Sequence, residues 1–314
     1  MRLDHPGSAP PSSALFLVPH AHDAALSVPL RLAAEREGGR VLLAVGFGGV
    51  TEAGGWGARF DDWGCDWLTL NLPAAAERDA ACAALRGAVF LPHPGERELV
   101  AELAGRLDAL LRAARPASVY LPLAVGEHVD HRVCHEAGLQ AMRPFGGANV
   151  FLYEERPQVL WPGAAWMRLG LLGARLPPAA RVPRQAGLVR TWLRLPRAAL
   201  LPCVPSRLLD RLRCLGAFER RRREARRWRP QRALGPRLQP VVYRAGGAGQ
   251  ALADEGLAHW LAQAPRSGWT AARLRKWAAG YERGLEGSAG AERLWLVLPE
   301  KGEVRADERL SPSD

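Results

Sequence analysis

The chain has 314 residues, a net charge of +11 and 48% hydrophobic residues, which allows a sizeable core and excludes a disordered chain. No apolar run reaches the roughly 20 residues that cross a bilayer. The five cysteines (Cys65, Cys82, Cys134, Cys203, Cys214) form no CxxC pair, so neither a disulfide frame nor a cysteine–zinc site is expected. The start, MRLDHPGSAPPSS, lacks an apolar stretch behind a basic one, and the expected compartment is the cytoplasm. All basic residues but Lys276 and Lys301 are arginines, and between Trp166 and Pro230 there are 17 Arg against 3 acids.

Taken in chain order, residues 1–13 read as a loose tail. The apolar run ALFLV (14–18), ended by Pro19, predicts a buried strand. Residues 23–37 have helical spacing, stopped by Gly38-Gly39. RVLLAVGF (40–47) predicts a second strand and GGVTEAGGWG a Gly-rich loop. DWLTLNLP predicts a third strand, and 95–116 a long amphipathic helix. SVYLPLA (118–124) predicts another strand, HRVCHEAGLQAMRP a helix and NVFLYEE (149–155) a further strand. Residues 161–240 are rich in Pro, Leu and Arg, 251–286 read as helical, and RLWLVLP (293–299) as a final strand. Strands alternating with helices indicate an α/β fold with a mainly parallel sheet flanked by helices. The expected organisation is one domain over 14–300, with a basic insertion at about 161–240 and a tail at 301–314.

Two histidine clusters follow predicted strands, and ligands of such sheets sit outside the carboxyl ends of the strands. The first is PHAHD, with His20, His22 and Asp23; the second is GEHVDHRVCH, with His128, Asp130, His131 and His135. His20 and Asp23, three apart, share one side of a turn entering a helix. One histidine from the second cluster would complete a two-His, one-carboxylate set of the kind that holds catalytic zinc. An amide hydrolase also needs a base, an oxyanion donor and an acid; His22 and His128 are placed to supply them, and Asp130 to orient an imidazole. His135 is expected on the helix surface and His93 in an exposed loop. The glycines of GFGGVTEAGGWG match neither phosphate-binding pattern.

The order PHAHDAALS, then LPLAVGEHVDHRVCHEAG about a hundred residues later, then VFLYEERP, resembles the LmbE/PIG-L superfamily of zinc-dependent de-N-acetylases. One bacterial branch is especially similar, and KWAAGYERGL (276–285) and AERLWL (291–296) resemble its weaker C-terminal motifs. The resemblance implies a Rossmann-like α/β fold, with His20, Asp23 and His131 as zinc ligands. It implies that His128 stabilises the oxyanion or protonates the amine, and that Asp130 supports a histidine. The implied substrate is an N-acetylated amino sugar or conjugate; the basic segment 166–229 would suit a lipid-linked one. Arg59 is similar in place to a substrate-holding Arg of the family; Tyr153 and Glu154, at a strand end, are expected to border the pocket. One departure stands out: the family's usual general base is an aspartate where this chain has His22. Imidazole can take a proton from water near neutral pH, so His22 is expected to replace that base. The competing readings are an additional metal ligand or a weakened relative.

A His-x-His after a first strand also suits an amidohydrolase barrel, but that fold needs further ligands at later strand ends, and His259 is the single histidine after His135. The alternative of a different class is an inactive relative that binds a sugar or a membrane surface. Leu, Trp and Arg interleaved over 166–229 suit a peripheral seat on anionic lipid at the inner membrane face. Nucleic acid is not expected, since no recognition motif accompanies the charge.

Overall fold

A computed structural model describes residues 13–48, 50–78, 95–145, 147–160, 163–180, 182, 220, 223–225, 227–231, 233–244, 246–263, 270–286 and 291–299. The first half alternates strand and helix: β1 (Ala14–Val18), α1 (Ala21–Ser27), α2 (Pro29–Gly38), β2 (Val41–Phe47), α3 (Val50–Asp62), β3 (Asp66–Leu72) and α4 (Ala75–Arg78). Then come α5 (Glu96–Ala114), β4 (Ser118–Pro122), α6 (Val129–Met142), β5 (Asn149–Tyr153) and α7 (Ala164–Leu171). The remaining elements are β6 (Arg237–Arg244), α8 (Gly247–Gln263), α9 (Ala271–Glu286) and β7 (Ala291–Leu298). They build a seven-stranded sheet of order β3-β2-β1-β4-β5-β7-β6. The first five strands are parallel, with Leu15 opposite Leu42 and Val119, while β7 runs antiparallel to β5 and β6.

The central strands are buried along their whole length because helices cover both faces. Alternation divides their side chains. Leu15 and Leu17 pack with Leu103, Leu107 and Val133 on one face, and Phe16 and Val18 with Trp56, Phe60 and Trp63 on the other. This confirms the expected α/β class. Some elements differ from expectation. The helix over 23–37 is two helices, parted at Val28, where the residue before Pro29 leaves the helical region. The Gly-rich stretch expected as a loop is mostly α3. Its Gly57 lies where a Cβ would stand 2.3 Å from the Trp67 ring, so a small residue is needed for the helix to reach the sheet. The helical stretch over 251–286 is α8 and α9, and β6 had no counterpart among the predicted elements.

No helix among the described residues is long and apolar enough to cross a membrane. Most of 166–229 lies outside the described residues, as do residues 1–12, 300–314 and His93. The described part of that basic segment is partly interior. Arg168 is buried and pairs with Glu127 at 2.9 Å, and Trp228 donates its indole N–H to Ala174 O.

The strand next to the sheet edge secures α2, the helix that follows α1. Glu292 of β7 is buried and accepts the backbone N–H groups of Leu30 and Arg31 at 2.7 and 3.0 Å, capping α2. Burial, with Arg156 opposing it, pushes this carboxyl up to about 7 from its ordinary 4.5. The folded state therefore holds the Glu292 proton more tightly than the unfolded chain. The associated stability is complete below pH 4.5 and is lost as pH rises through 7. Urea unfolding between pH 5 and 8 is predicted to show the wild type losing about 1–3 kcal/mol more than Glu292→Gln over that range; parallel pH profiles would contradict this.

Candidate active site

Both histidine clusters lie at the carboxyl ends of adjacent strands. β1 ends at Val18 and delivers His20 to the start of α1; β4 ends at Pro122, and the loop after it delivers His128 to the start of α6. Asp23 is buried in the first turn of α1, where its Oδ2 accepts the His20 backbone N–H at 3.0 Å. A carboxylate at a helix N-terminus is favoured by the helix dipole. Three imidazoles converge on it. His20 Nδ1 and His131 Nε2 each lie 3.5 Å from Oδ2, and His22 Nε2 lies 3.9 Å from Oδ1.

The outer nitrogens of two of these rings are committed elsewhere. His20 Nε2 donates to Asp130 Oδ2 at 3.1 Å, and His131 Nδ1 donates to Glu155 Oε1 at 3.2 Å. Asp130 is itself gripped by α4, the short helix after β3, accepting the Ala75 backbone N–H at 3.1 Å and Arg78 Nη2 at 2.9 Å. Arg78 also donates to Pro73 O and lies over the Phe47 ring. Glu155, fully buried, accepts the backbone N–H groups of Ala124 and Val125. Ala124 and Glu127 in this loop both have left-handed backbones (φ 63° and 62°), a strained conformation for residues with a Cβ. Glu155 from one side and Arg168 from the other hold the loop there, Arg168 donating to Leu123 O and Glu127 Oε1.

The electrostatics follow from this wiring. Burial opposes charging His20, but hydrogen bonds and charges from Asp130 and Asp23 outweigh it and push its pKa up to about 10. The pKa of His131 is raised in the same way, by Asp23 and Glu155 against burial. Asp23 and Asp130 resist burial and stay well below the usual carboxylate range through their histidine partners, with Arg78 adding to the effect on Asp130. Desolvation lowers His22 to about 4 and His128 to about 3, so both are neutral at pH 7. The Asp130 backbone N–H donates to His128 Nδ1 at 3.2 Å. That nitrogen is therefore an acceptor, and the neutral ring carries its proton on Nε2, ready to donate.

These residues suit a divalent metal. One ligand atom each from His20, His22 and Asp23 lie within 4.8 Å of one another, and His131 reaches the same carboxylate. Mixed imidazole and carboxylate donors whose outer nitrogens are already held by carboxylates are the donor set of zinc. The buried carboxylates Asp23, Asp130 and Glu155 lie against these imidazoles, a lining that suits a cation.

The structure brings together His20, His22, Asp23, His128, Asp130 and His131, and places the other candidates differently. Arg59, on α3, pairs with Glu255 at 2.6 Å and Asp62 at 3.8 Å. Tyr153 is fully buried beneath the site, its hydroxyl donating to Leu17 O, and burial raises its pKa. Glu154 turns to the opposite side and binds Tyr281, Arg293 and Trp295. His135, expected on the surface, is buried and bonded to Pro122 O at 2.8 Å. Sequence reasoning passed over Glu155, Arg78 and Trp260, whose ring lies 6.5 Å from that of His22. Glu155 stands in the quoted VFLYEERP, one position from the residue chosen.

Fold and site thus define a Rossmann-like α/β protein with a metal-competent histidine–aspartate centre at its strand ends. Residues 15–142 match the PIG-L family, described as GlcNAc-PI de-N-acetylase, and over this segment the resemblance read from the motifs is borne out. Solved structures share the fold. A40926 pseudoaglycone deacetylase Dbv21 is 16% identical, with 91% of this chain and 97% of that one covered at a TM-score of 0.55. A deacetylase–bog complex from the biosynthesis pathway of teicoplanin is 16% identical, with 92% and 99% covered at 0.58. The zinc inhibited form of teicoplanin deacetylase Orf2 is 16% identical, with the same coverage at 0.57. No curated protein sequence matches the chain significantly.

Arg78 and Asp130 are both largely buried, so removing one partner leaves an uncompensated charge. Arg78→Ala is predicted to cost about 2–5 kcal/mol in urea unfolding. The Arg78→Ala, Asp130→Asn double variant should lose less than the sum of the single losses, and additive losses would show that the pair is not coupled.

Proposed function

We propose that this chain hydrolyses the N-acetyl amide of an amino sugar or sugar conjugate, with zinc held by His20, Asp23 and His131. The observation that carries this reading is the shared aim of His20 Nδ1 and His131 Nε2 at one Asp23 oxygen, each ring locked from behind by a carboxylate. The family description, and the fold neighbours that are deacetylases by name, support the same chemistry. Bound zinc supplies Lewis acidity and makes water a nucleophile near neutral pH.

The chain's own residues do the rest. His22, whose side chain is 32% exposed and neutral, takes a proton from the attacking water. His128, protonated on Nε2, donates a hydrogen bond to the amide oxygen as negative charge develops there. Asp130 keeps His20 in one tautomer and one orientation. The imidazole that took up the proton returns it to the nitrogen as the C–N bond breaks, giving acetic acid and the amine, which exchange a proton to leave acetate and an ammonium group.

The test pairs metal analysis with amine release from N-acetyl sugars. About one zinc per chain is expected, lost in His131→Ala. His22→Ala should keep the metal and lose at least about 100-fold in turnover, and His22→Asp should restore it. Unchanged turnover in His22→Ala would sink the base role, and loss of zinc in that variant would make His22 a ligand. A wild type that takes up no zinc would overturn the hydrolase reading in favour of a sugar-binding relative.

A further inference from the structure

The cleft has a wall that lies outside the family-matched segment. α8 packs antiparallel against α1 and α2. Gly249 approaches Leu30, where a Cβ would stand 3.0 Å from backbone, and Gly256 approaches Ala25, where a Cβ would stand 2.5 Å from the Ala25 Cβ. Gly256 lets α8 sit close on α1, whose first turn carries Asp23, and Gly249 lets it sit close on α2. Four residues after Gly256, on the same face of α8, comes Trp260. The antiparallel run therefore sets Trp260 at the start of α1, with its ring 6.5 Å from that of His22 and tilted by 34°. Two more links fix this end of α8: Glu255 binds Arg59 and the Trp63 indole, and His259 bonds Gly55 O and abuts Trp56.

The rings form a row leading outward. His20 stacks on His22 with centroids 5.5 Å apart and planes within 3°, and His22 adjoins Trp260. Exposure rises along it, from 12% for the His20 side chain to 32% for His22, with Trp260 half-buried. The body of Trp260 packs on both hydrophobic clusters, which holds the ring in place. Trp63, Trp228 and Trp295 each give their indole N–H to a protein acceptor. Among the described residues Trp260 has no such partner, and its N–H is not among the buried polar atoms.

We propose that Trp260 is the platform on which the substrate's pyranose ring rests, so that it selects cyclic over acyclic N-acetyl amides. The inference rests on the deacetylase reading for the substrate class. A pre-ordered indole offers a broad apolar face with one polar edge, and a pyranose offers the complement: axial C–H groups on its faces and hydroxyls around its rim. Because Trp260 neighbours His22, a ring seated on it carries its acetamido group toward the histidine cluster.

Two probes separate the outcomes, methyl N-acetyl-β-glucosaminide and the acyclic N-acetylethanolamine. In Trp260→Ala the ratio of kcat/KM for the pyranoside over the acyclic amide should fall about 3- to 10-fold, mainly through KM, and Trp260→Phe should recover most of it. Independently of turnover, saturation-transfer NMR on chelator-treated protein should show ring-proton signals of the pyranoside that vanish in Trp260→Ala and persist in Trp260→Phe. An unchanged ratio, or no ring-proton transfer in the wild type, overturns the proposal. Ring binding that depends on Trp260 without amide hydrolysis would support it while refuting the deacetylase reading.

Discussion

A single ionised carboxylate buried from solvent organises the rest of the molecule. Asp23 is 1% exposed, and an isolated charge at that depth would be neutralised or expelled. It is kept charged by the first turn of α1 and by three imidazoles. Each solution creates another demand. An imidazole that serves Asp23 with one nitrogen must place the other, so His20 requires Asp130 and His131 requires Glu155. Those carboxylates are buried too, and they are answered by Arg78, Ala75 N and the strained loop after β4. The apolar sheet supplies the rigidity, and this chain of electrostatic obligations decides where the loops lie.

The same chain explains why four neighbouring histidines have opposite tendencies. His20 and His131 each touch two carboxylates and are drawn toward the charged form, whereas His22 and His128 gain less from carboxylates than they lose by desolvation. A cation bound beside Asp23 would compete with the protons of His20 and His131, because a ligating imidazole must be neutral. The first pair lies against Asp23, and the second stays neutral, as the proton-transfer and hydrogen-bonding roles proposed for it require.

How much of this is legible in the sequence depends on the range of the interaction. Apolar runs such as ALFLV and VLLAVGF declare buried parallel strands, and PHAHD and GEHVDH declare their ends, because burial and spacing are local properties. α3 was hidden because its glycines argue against a helix until Gly57 meets Trp67. The split at Val28 was legible from Pro29 but outweighed by the helical spacing on either side. Glu154 and Glu155 differ by one position at the end of a strand, where successive side chains take opposite sides. One serves His131 and the other binds Arg293 and Trp295, and composition cannot tell them apart. Arg78 had no signal at all, since its partner lies 52 residues away and is brought to it by sheet order.

This division of labour bears on how such a site can change its substrate. Asp23, Asp130, His131 and Glu155 are fully buried and mutually paired, so exchanging any of them strands a charge. The side chains with latitude are the half-exposed ones at the outer end of the ring row. His22 is one, and it already departs from the aspartate of the family pattern. Trp260 is another, carried on a helix that contributes no member of the carboxylate network and packs on α1 and α2 through close glycine contacts. A shift of α8 would reshape the wall of the cleft and leave the carboxylate network intact. On the proposed reading, reaction chemistry belongs to the carboxyl ends of β1, β4 and β5 and selectivity to the later part of the chain, where mutation can alter it without exposing the buried charges.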